Sequence, residues 1–204
     1  MHVKQTEGEG WDSVCETDSY FLGVALIDSV EEFIELVGRD RRLRGVDVAK
    51  YILSRTGCTH ARLEALTYLC YADYLCSTGK PLFDDSIHAS DNGPVVGSVH
   101  SKYSGYSRDH AECVMNDADV EDEADIEVDY NMRPIRSRIL FAEDGHVKIV
   151  SIDRTLERYG GLDERDLVQM TYREGSPWSR VDRTGRYDRL DDQLILEHHQ
   201  VEYP

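Results

Sequence analysis

From residue 59 to residue 77 apolar side chains recur at helical spacing, with Leu63, Leu66, Leu69, Cys70, Tyr74 and Leu75 in register and further Tyr and Ala filling most other faces. A helix that is apolar nearly all round has to be covered on several sides, so this segment is expected to be the central helix of the fold. Gly79-Lys80-Pro81-Leu82-Phe83 follows it, and a Gly and a Pro just past the last periodic residue form a stop signal. Upstream, Ser29-Val30-Glu31-Glu32 reads as a capping box. Val30, Phe33, Ile34 and Val37 then continue at helical spacing as far as a stop at Gly38. Further helices are predicted at about Val46 to Ser54, Asp153 to Tyr159, Asp163 to Tyr172 and Leu190 to His199. Asn92-Gly93-Pro94-Val95 makes a second break. Pro94 suits the first turn of a helix from about Val95 to Tyr103, because its missing N–H costs nothing there.

Two segments read as β. Tyr20 to Ile27 is short, apolar and bounded by polar residues, a strand candidate. Arg138 to Val150 reads as a β-hairpin closed by Asp144-Gly145, a dipeptide suited to the positive φ angles of a tight primed turn. The fold class expected is therefore mainly α with a small β element, an α+β fold built around one central buried helix plus a β-hairpin. Residues 1–44 form an N-terminal extension with an arm, the possible strand and a short helix. Residues 45–204 form the main domain, with an acidic insertion near 106–150.

Charge and composition narrow the function. The formal net charge is −17, which argues against direct binding to nucleic acid, since phosphate contacts need a basic surface. Eight of the thirteen residues from Asp117 to Asp129 are acidic and none is basic, a pattern of a surface loop or disordered insertion. The basic run Arg39, Arg41, Arg42 and Arg44 reads as a solvated linker near a helix end. No segment is apolar and long enough to span a bilayer, and the first residues lack a secretory pattern. The expectation is a cytoplasmic protein without membrane insertion.

Chemistry is sparse. The five cysteines, Cys15, Cys58, Cys70, Cys76 and Cys113, contain no CxxC pair and read as packing thiols. The eight histidines make no recognisable ligand pattern, and His198-His199, being adjacent, point to different helix faces. No phosphate-loop, dinucleotide or nucleophile-elbow motif occurs. No metal, cofactor or catalytic residue is assigned, and the chain is expected not to be an enzyme.

The stretch from Val46 to Tyr103 resembles the SocA-like, or Panacea, antitoxin domain of bacterial and phage toxin–antitoxin systems. The resemblance rests on Leu63, Leu66 and Tyr68 in the Leu-rich helix, Gly79 through Phe83, Ile87 and Ala89, then Gly93 through Val95 and Tyr103. Leu167 to Trp178 is similar to the closing Leu, Thr-His and Pro-Trp pattern of that family. The family usually carries lysine where Ala65 stands, tryptophan at Ser90, an aromatic at Asn92 and histidine at Tyr172. The resemblance implies an antitoxin that binds a toxin protein directly, with presentation of the toxin to a protease as a variant of that role. Leu82, Phe83, Asn92, Gly93, Pro94, Val95 and Trp178 are the partner-binding candidates, each weighed against a role in shaping turns or packing. A competing reading is an acidic, phage-encoded decoy that mimics nucleic acid. Unmatched residues 1–44 and 106–150 are candidate specificity elements.

Overall fold

The computed structural model describes residues 10–17, 29–109, 135–182, 185 and 187–200. The strand candidate at 20–27 and the acidic run at 117–129 lie outside them. In chain order the helices are α1 (Trp11–Thr17), α2 (Val30–Arg41), α3 (Gly45–Arg55) and α4 (His60–Thr78). Strands β1 (Ile87–Ser90) and β2 (Gly93–Val96) precede α5 (Gly97–Asp109), α6 (Ile135–Leu140), α7 (Gly145–Tyr159) and α8 (Glu164–Tyr172). A single 3-10 turn at Pro177–Arg180, strand β3 (Asp188–Arg189) and helix α9 (Asp192–His198) complete the described residues.

Helix α4 is the centre of the molecule. Every residue from Leu63 to Leu75 is buried, and α3, α5, α7, α8, α9 and β2 all pack against it. Its ends are set locally. The Thr59 side chain accepts a hydrogen bond from the Arg62 amide, and Gly79 closes the helix in the left-handed conformation at φ +70°, which only glycine adopts without a steric penalty. Burying Leu66, which is fully inaccessible, contributes about 1.5–3 kcal/mol. The helices that surround this hub turn an apolar face to it, while α6 packs on α3 and α7 instead. In α7, Ile149, Ile152, Thr155 and Tyr159 form the buried stripe, spaced by three and four residues as a helix requires.

The β content is small but lies elsewhere than the sequence suggests. Residues 138–150 form no hairpin; they are the end of α6, a turn, and the start of α7. Asp144 does take the positive φ that Asp-Gly favours, at +54°, but it uses it to turn between two helices. Gly145 then starts α7 where a Cβ would collide with the carbonyl oxygens of Ile139 and Leu140. The Asp153–Tyr159 segment is the second half of α7, and α2 runs past Gly38 to Arg41.

The sheet has three antiparallel strands in the order β2-β1-β3. Ile87 pairs with Val96, Ala89 with Pro94, and Ser90 with Gly93, while His88 faces Arg189 and Ala89 faces Asp188 on the other side. Pro94 therefore lies in a strand and not in a helix start. β2 is an edge strand, the place where a residue without an N–H is tolerated, and α5 begins after it at Gly97. Among the described residues no helix is long and apolar enough to cross a membrane.

Candidate functional site

The β1–β2 turn gathers most of the sequence-selected residues. Ser90 is buried and organises the turn: its hydroxyl donates to the Gly93 carbonyl at 2.8 Å and accepts from the Asn92 amide at 3.3 Å. Gly93 sits at φ +123°, and a Cβ there would lie 3.2 Å from the Thr171 hydroxyl and 3.6 Å from the Tyr172 ring. Glycine is thus required both by the backbone angle and by the close approach of α8. From the other side, Trp178 donates its indole N–H to the Ser90 carbonyl at 2.8 Å and stacks at an angle on Tyr172, ring centroids 5.7 Å apart. Ser176 caps the turn that carries Trp178, with Pro177 buried at its first position, where its missing N–H costs nothing.

Asn92, Gly93, Pro94, Val95 and Trp178 therefore belong to one region, with Asn92 exposed, Val95 and Trp178 half-buried, and Gly93 and Pro94 buried. Leu82 and Phe83 do not join them. Both are core residues, Phe83 lying against the Tyr71 ring at 4.7 Å. Their contribution to a partner surface is confined to the shape they impose. Sequence reasoning missed Tyr172, which is partly exposed beside Trp178.

Next to this face a cavity of about 370 Å³ opens between α4, α8 and the segments at 173–177 and 198–200. Tyr68, Met170, Thr171, Pro177 and His199 are among its lining residues. The Tyr68 hydroxyl is buried without a hydrogen-bond partner among the described residues, and burial raises its pKa above the ordinary phenol value. It is one polar group that the cavity offers to an incoming acceptor or donor, beside Thr171, Arg173, Glu174 and His198.

The wall behind the cavity is braced by Asp73. Its Oδ1 receives His199 Nε2 at 2.8 Å, and its Oδ2 receives the Thr155 hydroxyl at 3.0 Å and Arg158 Nη1 at 2.7 Å. Both carboxylate oxygens are thus occupied by partners from α7 and the end of the chain's described part, which makes this pair a clasp between α4, α7 and the residue following α9. The cysteines of α4 and its neighbour are packing groups: burial pushes the Cys58 thiol up to about 12 and raises Cys70 and Cys76 as well. A thiolate nucleophile is disfavoured at all three.

A second cluster lies where β2 meets α4. Glu64, on the buried face of α4, takes the Val96 amide on Oε2 at 3.1 Å. Its Oε1 faces His60 Nε2 at 3.5 Å and His100 Nδ1 at 3.4 Å. Burial alone would raise the Glu64 pKa, but the His100 and His60 imidazoles and the Val96 amide outweigh it and hold the carboxyl below its ordinary value. Glu64 in turn raises the His100 pKa. These three side chains could hold a metal ion. The sequence carried half of this signal, His60 and Glu64 being four residues apart on a helix; His100 arrives only through the packing of α5.

A family model described as antitoxin SocA-like, Panacea domain, matches residues 66–179, more than half of the chain. No curated protein and no solved structure matches.

Proposed function

The chain belongs to the SocA-like antitoxin family, Panacea domain, and from that premise we propose that it neutralises a toxin by binding it directly as a protein, without catalysis and without a cofactor. The observation that carries this reading is the family match over residues 66–179. The face formed by the β1–β2 turn, Tyr172 and Trp178 is the surface we assign to the toxin. Two of the four positions at which the chain departs from the usual family pattern, Asn92 and Tyr172, are exposed on it, and a third, Ser90, is buried beneath them and shapes the turn.

The physical character of the face fits a protein ligand. Aromatic side chains such as Tyr172 and Trp178 supply large contact area at low conformational cost and are the residues that most often dominate interface energetics. The adjacent cavity gives a partner side chain somewhere to enter. The formal charge of −17 suits a basic toxin, to which it would speed association and confer salt sensitivity.

The test is growth rescue. Expression of the product of the gene beside this one is expected to arrest growth, and co-expression of this chain to restore it, with the two proteins co-purifying. A toxic neighbour that this chain does not neutralise would refute the proposal.

A further inference from the structure

We propose that His60, Glu64 and His100 form a binding site for one divalent transition-metal ion of zinc-like preference, bridging α4 and α5. His60 and Glu64 lie one helical turn apart at the start of α4 and so share a face. His100 comes from the first half of α5, and the Val96 amide fixes the orientation of the Glu64 carboxylate by holding Oε2 at 3.1 Å. That leaves Oε1 directed at both imidazoles.

The two distances from the carboxylate oxygen to the imidazoles are those of ligands around an ion. Oε1 stands 3.5 Å from His60 Nε2 and 3.4 Å from His100 Nδ1, and all three atoms lie within 4.8 Å of one another. Ligands about 2.0–2.2 Å from a tetrahedral zinc ion are about 3.4 Å apart, whereas N–H···O hydrogen bonds centre near 2.9–3.0 Å. None of the three atoms makes a hydrogen bond among the described residues although all three are buried. Buried polar atoms that face one another without a hydrogen bond are rare in folded proteins, and a bound ion is one of the established ways of satisfying them.

The donor set selects the class of ion. Two imidazole nitrogens and one carboxylate oxygen suit zinc and its neighbours, while magnesium and calcium prefer all-oxygen shells. Glu64 is 7% and His60 12% exposed in their side chains, but His100 is 38% exposed. The three donor atoms are themselves inaccessible to solvent, so the exposed part of His100 is the side of its ring away from Glu64. The site offers three protein ligands, and a bound ion would complete a tetrahedral shell with a fourth, non-protein ligand such as water.

The competing account of the same geometry is a buried carboxylate balanced by protonated imidazole, with no ion. Titration of the chelator-treated, metal-free full chain with Zn²⁺ against a competing chromophoric chelator separates the two, with Co²⁺ as the spectroscopic probe. One equivalent of Zn²⁺ is expected to bind, and Co²⁺ to give the intense visible absorption of a four-coordinate site. Outer-sphere partners of metal ligands are typically worth 10–100-fold in affinity, so loss of a ligand itself in His100→Ala or Glu64→Gln should weaken binding at least about 100-fold. His100→Ala alters a partly exposed side chain, and Glu64→Gln keeps an acceptor for the Val96 amide. Unchanged melting of both variants in chelator shows that they are folded. His146→Ala, at an exposed histidine remote in sequence, should leave Zn²⁺ binding unchanged. Absence of stoichiometric binding, or binding that survives both ligand substitutions, overturns the proposal.

Discussion

Replacing Asp73 by Ala tests whether the carboxylate inside α4 is the clasp that the geometry indicates. Asp73 is 5% exposed and receives three donors, from His199, Thr155 and Arg158, at 2.7–3.0 Å. Removing one partner of a buried ion pair typically costs about 3–5 kcal/mol, because the remaining charge loses its compensation in a poorly solvated site. Arg158 retains a contact with the Tyr159 ring at 5.6 Å, which places the expectation at the lower end, about 3 kcal/mol, since exposed cation–π contacts contribute about 0.5–1 kcal/mol. Against a total stability of about 5–15 kcal/mol for a domain, this is a large fraction. Urea unfolding followed by circular dichroism measures it. The second arm is the double variant Asp73→Ala with Arg158→Met: removing the guanidinium as well should recover at least about 1 kcal/mol, because an apolar replacement carries no uncompensated charge. A loss below about 1 kcal/mol in the single variant, or a double variant no more stable than the single one, would refute the clasp.

The other expectations are narrower. Gly145→Ala places a methyl group against two backbone carbonyls of α6, and a loss of about 1–3 kcal/mol is expected from such overpacking; an unchanged melting temperature would mean that the α6–α7 turn can shift. The Lys80 ammonium, 2.7 Å from Asp144, holds that carboxyl below its ordinary 3.8. The contribution of the pair is therefore present above pH 3.8 and fades as pH falls through the lower folded value. In a carbon-13 NMR titration, Lys80→Ala should move the Asp144 midpoint upward, and an unmoved midpoint would contradict the pair. Trp178→Phe keeps a ring beside Tyr172 but loses the hydrogen bond to Ser90, for which about 0.5–1.5 kcal/mol is expected in thermal or urea unfolding; no loss would leave the indole N–H without a structural role.

What could be read from the sequence was what is encoded locally. Helix α4 appears with Thr59 and Gly79 at its ends because its apolar positions, cap and stop are all within one continuous segment. The same holds for Asp163 as the cap of α8, whose side chain accepts from the Arg165 amide. The hairpin at 138–150 failed because Asp-Gly signals positive φ and not a hairpin as such. The helical spacing of Ile149, Ile152 and Tyr159 becomes visible only in a window that extends past Val150. The real sheet was hidden for a different reason. β1 and β2 are four residues each, too short for alternation to stand out, and β3 joins from residues 188 and 189. Turn chemistry at Gly93-Pro94 was legible, but whether a strand or a helix follows Pro94 depends on pairing with Ala89. The convergence of His60, Glu64 and His100, and the partners of Asp73, are tertiary facts. One sequence signal for the latter was available: a carboxylate inside a helix apolar on nearly all faces has to find a partner or be neutralised.

The central claim is that this chain binds a toxin through the face around the β1–β2 turn. Its most direct test is the dissociation constant of the purified chain for the toxin encoded beside it, measured by calorimetry for the wild type and for the variant Asn92→Arg with Tyr172→Ala. Both positions are exposed or partly exposed, so the variant should fold as the wild type does. The account predicts a stoichiometric complex for the wild type and affinity at least about 10-fold weaker for the variant, a change of about 1.4 kcal/mol. Equal affinity for both proteins would place the toxin on another surface, and absence of any complex with a toxin that this chain neutralises would contradict direct binding itself.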